Sequence, residues 1–120
     1  IPDVINEGNV ERVQAKIIVE AANIPMKYEI ERILHEKGVL VIPDIIANAG
    51  GVISSYAEYV GENPTRMYEI VRKRIAENTR LILKEAAERN LPPRDIAMEK
   101  AMRKVKEAME KSKIKKEKSR

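Results

Sequence analysis

The stretch VLVIPDIIANAGGVISSYAEY, from Val39 to Tyr59, combines a buried-strand pattern with a loop of small and polar residues. Its first residues, Val39 to Ile42, are apolar on both faces, as expected of a parallel strand covered by helices on each side. The apolar run stops at Asn48-Ala49-Gly50-Gly51. A buried strand does not need an asparagine and a glycine pair after it, whereas a ligand-carrying loop often has them. We therefore predict a ligand site beyond this strand.

A second strand pattern lies upstream, in Ala15 to Glu20, which is short and rich in β-branched residues. Between the strands, helical spacing of apolar residues predicts a helix that begins near Lys27 and ends at Gly38. Another helix is predicted over Val52 to Val60. The order strand, helix, strand, helix predicts an α/β layered sheet with parallel strands.

Two long helices are predicted to follow. Asn63-Pro64 is a typical helix start, and the first helix should reach about Asn90, where Leu91-Pro92-Pro93 stops it. Asp95 is predicted to cap the second helix, which carries an apolar stripe. That stripe is more typical of core or interface packing than of a ligand groove. The stripe consists of Met98, Met102, Val105 and Met109.

Length and composition limit the possible functions. At 120 residues the chain suits one domain. It has no cysteine, which excludes disulfides, thiolate metal sites and a thiol nucleophile, and a cytoplasmic setting fits. The single histidine, His35, cannot build a metal site, so no metal is predicted. No segment approaches the roughly 18 apolar residues of a membrane span, and no membrane partner is predicted.

The net charge of +4 comes from the last residues of the chain. Residues 111–120 contain six basic residues and one acidic residue, so the rest of the chain is close to neutral. We predict one domain over residues 1–110 and a basic, disordered tail over 111–120. The tail has no aromatic residue for base stacking, and short basic tails more often increase solubility, so nucleic-acid binding is not predicted.

Both predicted strands end in small residues and an asparagine. Asn23 follows the first strand and Asn48 follows the second. Ligands in open α/β sheets lie beyond the carboxyl ends of the strands, and parallel strands would bring these two amides side by side. An amide offers both a donor and an acceptor to a ligand. The alternative is that each asparagine only stabilises a turn.

Two serines, Ser54 and Ser55, are predicted to lie in the first turn of the helix after Gly50-Gly51. Helix N-termini attract carboxylates and phosphates, and a hydroxyl there adds a hydrogen bond. The alternative is a local bond from each hydroxyl to the backbone of its own helix.

The segments AKIIVEAAN (residues 15–23) and ILHEKGVLVIPDIIANAGGVISSYAEY (residues 33–59) resemble the coenzyme domain of the glutamate/leucine/phenylalanine/valine dehydrogenases. The resemblance extends from Ile1 to about Met109. It implies a partial Rossmann-like unit, doubly wound with parallel strands and followed by long C-terminal helices. It also implies oxidative deamination of an amino acid with NAD or NADP, in a homo-oligomer.

The resemblance further implies roles for five residues of this sequence. Asn23 and Asn48 match asparagines at the nicotinamide end of the coenzyme. Gly51 and Val52 match positions that line the substrate side-chain pocket. Ser55 matches a serine that contacts the side-chain carboxylate of glutamate, which favours glutamate and 2-oxoglutarate as the substrate pair.

The sequence departs from the family pattern in two ways. The family usually has glycine at the position of Ala21 and often threonine at that of Met26. The family's GxGxxG fingerprint, catalytic lysine and catalytic aspartate have no counterpart, so no catalytic residue is predicted in this chain and the chain resembles the last part of a dehydrogenase. A non-catalytic, self-associating module is the alternative, because an unpaired sheet edge favours pairing with another chain.

Overall fold

The computed structural model describes the backbone of residues 2–118 and the side chains of residues 2–112 and 114. A short 3-10 helix, Val10–Arg12, precedes two strands and five α-helices. No described helix combines the length and apolarity that crossing a membrane requires. The strands and α-helices are, in chain order, β1 (Ile17–Val19), α1 (Tyr28–Glu36), β2 (Leu40–Ile42), α2 (Asp44–Ala47), α3 (Gly50–Tyr59), α4 (Pro64–Arg89) and α5 (Pro93–Lys118).

The two strands form a parallel pair, which confirms the predicted α/β arrangement. Ile17 pairs with Leu40 and Val19 pairs with Ile42. Glu20 continues the pairing by donating its backbone N–H to the Ile42 carbonyl at 3.1 Å. Because the strands run in the same direction, the segments that follow them begin at the same edge of the sheet.

Two apolar clusters form the core. One lies among β2, α1 and the segments beside them, and Leu34 and Ile30 are almost fully buried in it. Met26 belongs to the same cluster and is 2% exposed. The other cluster joins α2, α4 and the start of α5 around Ile96, which is completely buried.

The apolar side chains of the two strands and of α5 are covered less completely than predicted. Leu40 and Ile42 of β2 are only half-buried, and Ile17 and Val19 of β1 are each 59% exposed. The methionine stripe of α5 is also exposed, so it does not form part of the core of this chain. Its fractional exposure runs from 45% to 57% over Met98, Met102, Val105 and Met109.

The first long helix, α4, begins and ends close to the predicted positions. The Asn63 side chain accepts a hydrogen bond from the Arg66 N–H at 2.9 Å, and Pro64 occupies the first turn, as predicted. Asn90 ends α4 in the left-handed conformation. The prediction for Asp95 is wrong, because α5 begins at Pro93 and places Asp95 inside its first turn. The helical backbone of α5 continues to Lys118, within the basic segment; the disorder of 111–120 in solution stays a prediction.

Candidate functional site

Asn23 and Asn48 come together at the carboxyl edge of the two-stranded sheet. The Asn48 Nδ2 group donates a hydrogen bond to Asn23 Oδ1, across 25 positions of sequence. Asn23 is exposed and Asn48 is half-buried at the end of α2. The expected side-by-side placement of the two amides is therefore present, and both remain open to solvent.

A short helix, α2, occupies part of the segment that the sequence suggested was a ligand loop. It begins at Asp44, directly after Pro43, and Asn48 is the residue that ends it. The Asn48 N–H donates to the Asp44 carbonyl at 3.0 Å. The position of Asn48 is therefore set by a helical turn rather than by a free loop.

The glycine pair belongs to α3, which begins at Gly50. A Cβ added at Gly50 would lie 3.4 Å from a Val71 methyl of α4, whereas Gly51 faces open space. Gly50 therefore faces α4, and Gly51 is available on the outer surface. Val52 beside it is 77% exposed.

The prediction that Ser54 and Ser55 lie in the first helical turn is wrong, because α3 starts earlier than predicted. Both residues lie in its second turn, and both hydroxyls donate to the carbonyl of Gly51, at 2.8 Å from Ser54 and 3.0 Å from Ser55. Bonds of this kind to the preceding turn are common for serine within a helix. Ser55 is nevertheless exposed and keeps its oxygen lone pairs accessible.

Asp44 links the segments that carry the two asparagines. Its Oδ2 accepts a hydrogen bond from the Ile24 N–H at 2.9 Å, immediately after Asn23. Its Oδ1 accepts from the Ile45 N–H at 2.7 Å, at the start of α2. Burial would raise the pKa of Asp44, but the Ile24 N–H and the Arg94 guanidinium hold it below its ordinary value.

Arg94, from the first turn of α5, lies among three carboxylates. Its Nε donates to Glu31 at 2.7 and 2.8 Å, its Nη2 to Glu20 at 2.7 Å, and its Nη1 lies 3.0 Å from Asp44. Burial would lower the pKa of Arg94, but the hydrogen bond to Glu31 and the surrounding negative charge raise it. This guanidinium joins α5 to α1, to the end of β1 and to the start of α2.

Among the carboxyl groups around Arg94, Glu20 has the pKa that is shifted most from its ordinary value. Its side chain is fully buried; Oε2 accepts from the Asp44 N–H at 2.8 Å, while no hydrogen-bond partner for Oε1 is found in the described part of the structure. Burial, with the nearby charge of Glu31, raises the pKa of Glu20 to about 7, against the opposing effects of the Asp44 N–H and Arg94. The group can therefore gain or lose a proton near neutral pH.

Sequence analysis did not identify this cluster, although the position of Glu20 was one signal and a correct start for α5 would have supplied a second. Glu20 lies two positions after Ile18, so strand alternation places it on the side of the sheet that packs against the core. Arg94 lies in the first turn of a helix, where the helix dipole disfavours a cation. Each signal indicates a charged residue that needs a partner, but neither identifies that partner.

The model of the glutamate/leucine/phenylalanine/valine dehydrogenase family matches residues 1–112. The chain belongs to this family. Among relatives, it is 41% identical over 101 residues to a glutamate dehydrogenase of Aeropyrum pernix, a match that covers 79% of this chain and 24% of that protein. It is 55% identical over 60 residues to an NADP(+)-dependent glutamate dehydrogenase of Pyrobaculum calidifontis, covering 50% and 14% of the two chains.

Solved dehydrogenases share the fold. The chain superimposes with a TM-score of 0.80 on an L-tryptophan dehydrogenase of Nostoc punctiforme, at 28% identity, over 92% of this chain and 33% of that one. A glutamate dehydrogenase of Peptoniphilus asaccharolyticus gives the same score and identity, over 92% and 29%. These three dehydrogenases match this chain over most of its length. The chain, however, spans only a quarter to a third of their length.

Proposed function

We propose that this dehydrogenase segment forms part of the coenzyme-binding domain of an NAD(P)-dependent glutamate dehydrogenase, as a partial, doubly wound Rossmann-like unit continued by long helices. The observation that carries the proposal is the hydrogen-bonded pair of Asn23 and Asn48 at the carboxyl edge of two parallel strands. Ligands of open α/β sheets bind at this edge.

The Asn23–Asn48 pair has the hydrogen-bonding capacity to hold a carboxamide. Their mutual bond uses one N–H of Asn48 and one lone pair of Asn23 Oδ1. The second N–H of Asn48, its own Oδ1 and the NH₂ group of Asn23 are left for a ligand. In this proposal the nicotinamide of NAD or NADP accepts the hydride, and the two asparagines orient it at the sheet edge.

The residues that we propose as substrate contacts lie on the exposed surface of α3. Gly51 and Val52 would line the side-chain pocket, and the Ser55 hydroxyl would donate to the distal carboxylate of glutamate or 2-oxoglutarate. The Ser55 hydrogen would then leave the Gly51 carbonyl, which it bonds at 3.0 Å. A bond to a charged group is worth about 1.5–3 kcal/mol against about 0.5–1.5 for a neutral one, so the exchange favours the carboxylate.

The test is a chimeric enzyme in which this chain replaces the matching segment of the Aeropyrum pernix glutamate dehydrogenase. We expect the chimera to oxidise glutamate with NAD or NADP, and Ser55→Ala to lower kcat/KM for glutamate about fivefold, from a net loss of about 1 kcal/mol. Norvaline, which has no distal carboxylate, is the control substrate and should lose much less. Equal losses for both substrates would mean that Ser55 only stabilises its helix.

The chain alone is expected to be inactive, because no residue of it is assigned as the general base or as the phosphate-binding loop. Steady-state assay of this polypeptide with glutamate and either coenzyme tests this expectation. Turnover at a rate comparable with that of the chimera would contradict it.

Self-association is the second candidate function, in a homo-oligomer or as a non-catalytic module. It is supported by Ile17 and Val19, each 59% exposed on β1, and by the exposed methionine stripe of α5. Sedimentation velocity at several concentrations tests it, with Met102→Lys as the variant expected to weaken association. A monomer at every concentration would count against this candidate.

A further inference from the structure

The backbone directly after Asn23 is held in an uncommon conformation. Ile24 has a φ of +48°, in the left-handed region that β-branched residues rarely occupy. Its side chain is 61% exposed, so core packing does not hold it in place. Residues in such conformations persist only where surrounding contacts stabilise them.

Two hydrogen bonds hold this backbone. The Ile24 N–H donates to the Asp44 carboxylate at 2.9 Å, and the Ile24 carbonyl accepts from the Asp3 N–H at 3.2 Å. The bond to Asp44 has a charged acceptor and is the stronger type. The path of the chain at Asn23 therefore depends on the Asp44 carboxylate.

Asp44 is also the first residue of the helical turn that ends at Asn48, whose N–H donates to the Asp44 carbonyl at 3.0 Å. One residue thus contacts the backbone on both sides of the amide pair: through its side chain toward Asn23, and through its main chain toward Asn48. The Arg94 guanidinium, 3.0 Å from Oδ1, holds the carboxylate in orientation.

We propose that Asp44, oriented by Arg94, is a positioning residue that sets the placement of Asn23 relative to Asn48. It touches neither coenzyme nor substrate in this assignment, and it acts through the Ile24 N–H. The relevance of this role to coenzyme binding rests on the proposed function. The effect of Asp44 on the placement of Asn23 and Asn48 does not depend on it.

The variant that tests this proposal is Asp44→Asn. Asp44 uses Oδ1 for the Ile45 N–H and Arg94, and Oδ2 for the Ile24 N–H. An asparagine has one acceptor oxygen, which the two Oδ1 partners would retain, so its NH₂ group would face the Ile24 N–H and lose that bond.

The matched control is Glu31→Gln. It removes the same charge from another carboxylate of Arg94, and Glu31 has no hydrogen bond to the residues from Ala21 to Ile24 in the described structure. Both variants lose a partner of one guanidinium. Only Asp44→Asn loses a bond to the segment that carries Asn23.

The measurement is NMR of the uniformly ¹⁵N-labelled chain, following the side-chain NH₂ signals of Asn23 and Asn48 and the hydrogen exchange of the Ile24 amide. In Asp44→Asn we expect both NH₂ signals to shift and the Ile24 amide to exchange about 10- to 100-fold faster, the range for one hydrogen bond to a charged group. In Glu31→Gln these signals should stay in place. This should hold even if urea unfolding shows that Glu31→Gln loses as much stability as Asp44→Asn, or more.

Two outcomes would overturn the proposal. The first is that the NH₂ signals shift in both variants, in proportion to the stability that each variant loses, as a purely structural role predicts. The second is that the Ile24 amide of the wild-type chain exchanges as fast as an amide in an unstructured peptide. This second measurement needs no variant, so it tests the proposal even if Asp44→Asn does not fold. Titration of the chimeric enzyme with NADH is a separate arm. Failure of a folded chimera to bind the coenzyme would contradict the proposed function and leave the placement of the two asparagines in this chain untouched.

Discussion

Replacing Glu20 with glutamine should remove most of the pH dependence of stability between pH 5 and pH 8. Glu20 has its pKa raised from an ordinary value of 4.5 to about 7, first by burial and then by the nearby Glu31 charge. Below pH 4.5 both the folded and the unfolded chain hold this proton, so its full contribution to stability is present. As the pH rises, the unfolded chain loses the proton first, and stability falls until the folded group ionises near pH 7.

The size of the effect follows from the same values. Each pKa unit corresponds to about 1.36 kcal/mol, so the rise from 4.5 to about 7 implies a loss on the order of 2–3 kcal/mol between pH 5 and pH 8. Glutamine resembles the protonated acid, and its oxygen can keep the bonds to Asp44 and Arg94. Its NH₂ group would occupy the position of Oε1, the buried oxygen for which no partner is found among the described residues.

Urea unfolding followed by circular dichroism at pH 5 and pH 8 measures this difference. The control is Glu11→Gln, which removes a carboxylate that is 77% exposed and pairs with Lys37 at the surface. We expect the free energy of unfolding to fall with pH in the wild type and the control, and to stay nearly constant in Glu20→Gln. A variant that keeps the wild-type slope, or that is clearly less stable than the wild type at pH 8, would refute this reasoning.

Three further predictions concern single contacts. Arg94→Met should lower the free energy of unfolding by about 3–5 kcal/mol in urea titrations, because it leaves buried carboxylates without their cation. Asn63→Ala should lower it by about 1 kcal/mol in thermal unfolding, because the Arg66 N–H loses its acceptor. Gly51→Ala should raise it by up to about 1 kcal/mol, because the added methyl meets open space in a helix, while reducing glutamate turnover in the chimera.

The sequence predicted those parts of the structure that depend on local signals. Asn63-Pro64 and the regular apolar spacing of α4 indicate a helix by capping and period, and that helix runs over Pro64–Arg89. Two apolar runs separated by a helix predict parallel strands, and parallel strands bring Asn23 and Asn48 to one edge. These predictions need no knowledge of distant contacts.

The missed features depend on short elements or on distant partners. Four residues are too few to show a helical period, so α2 was not predicted. Gly50 and Gly51 are helical in α3, although a glycine pair disfavours the interior of a helix, so the local pattern did not predict the start of α3 there. The partners of Arg94 lie 63 and 74 positions away at Glu31 and Glu20, a separation that periodicity and motif spacing do not connect.

The contacts of Arg94 make the sheet edge depend on α5. The methionine stripe of that helix is exposed, and its buried apolar contacts are made near its start, by Ile96 and Ala97 beside Arg94. A change that loosens this end of α5 would withdraw the guanidinium from Asp44, and Asp44 holds the backbone after Asn23. Ile96→Ala should therefore disturb the Asn23 and Asn48 NH₂ signals, although Ile96 belongs to the other apolar cluster. Leu34→Ala removes a comparable volume from the cluster beside β2, to which Ile96 does not belong, and it should leave those signals closer to the wild type at an equal loss of stability.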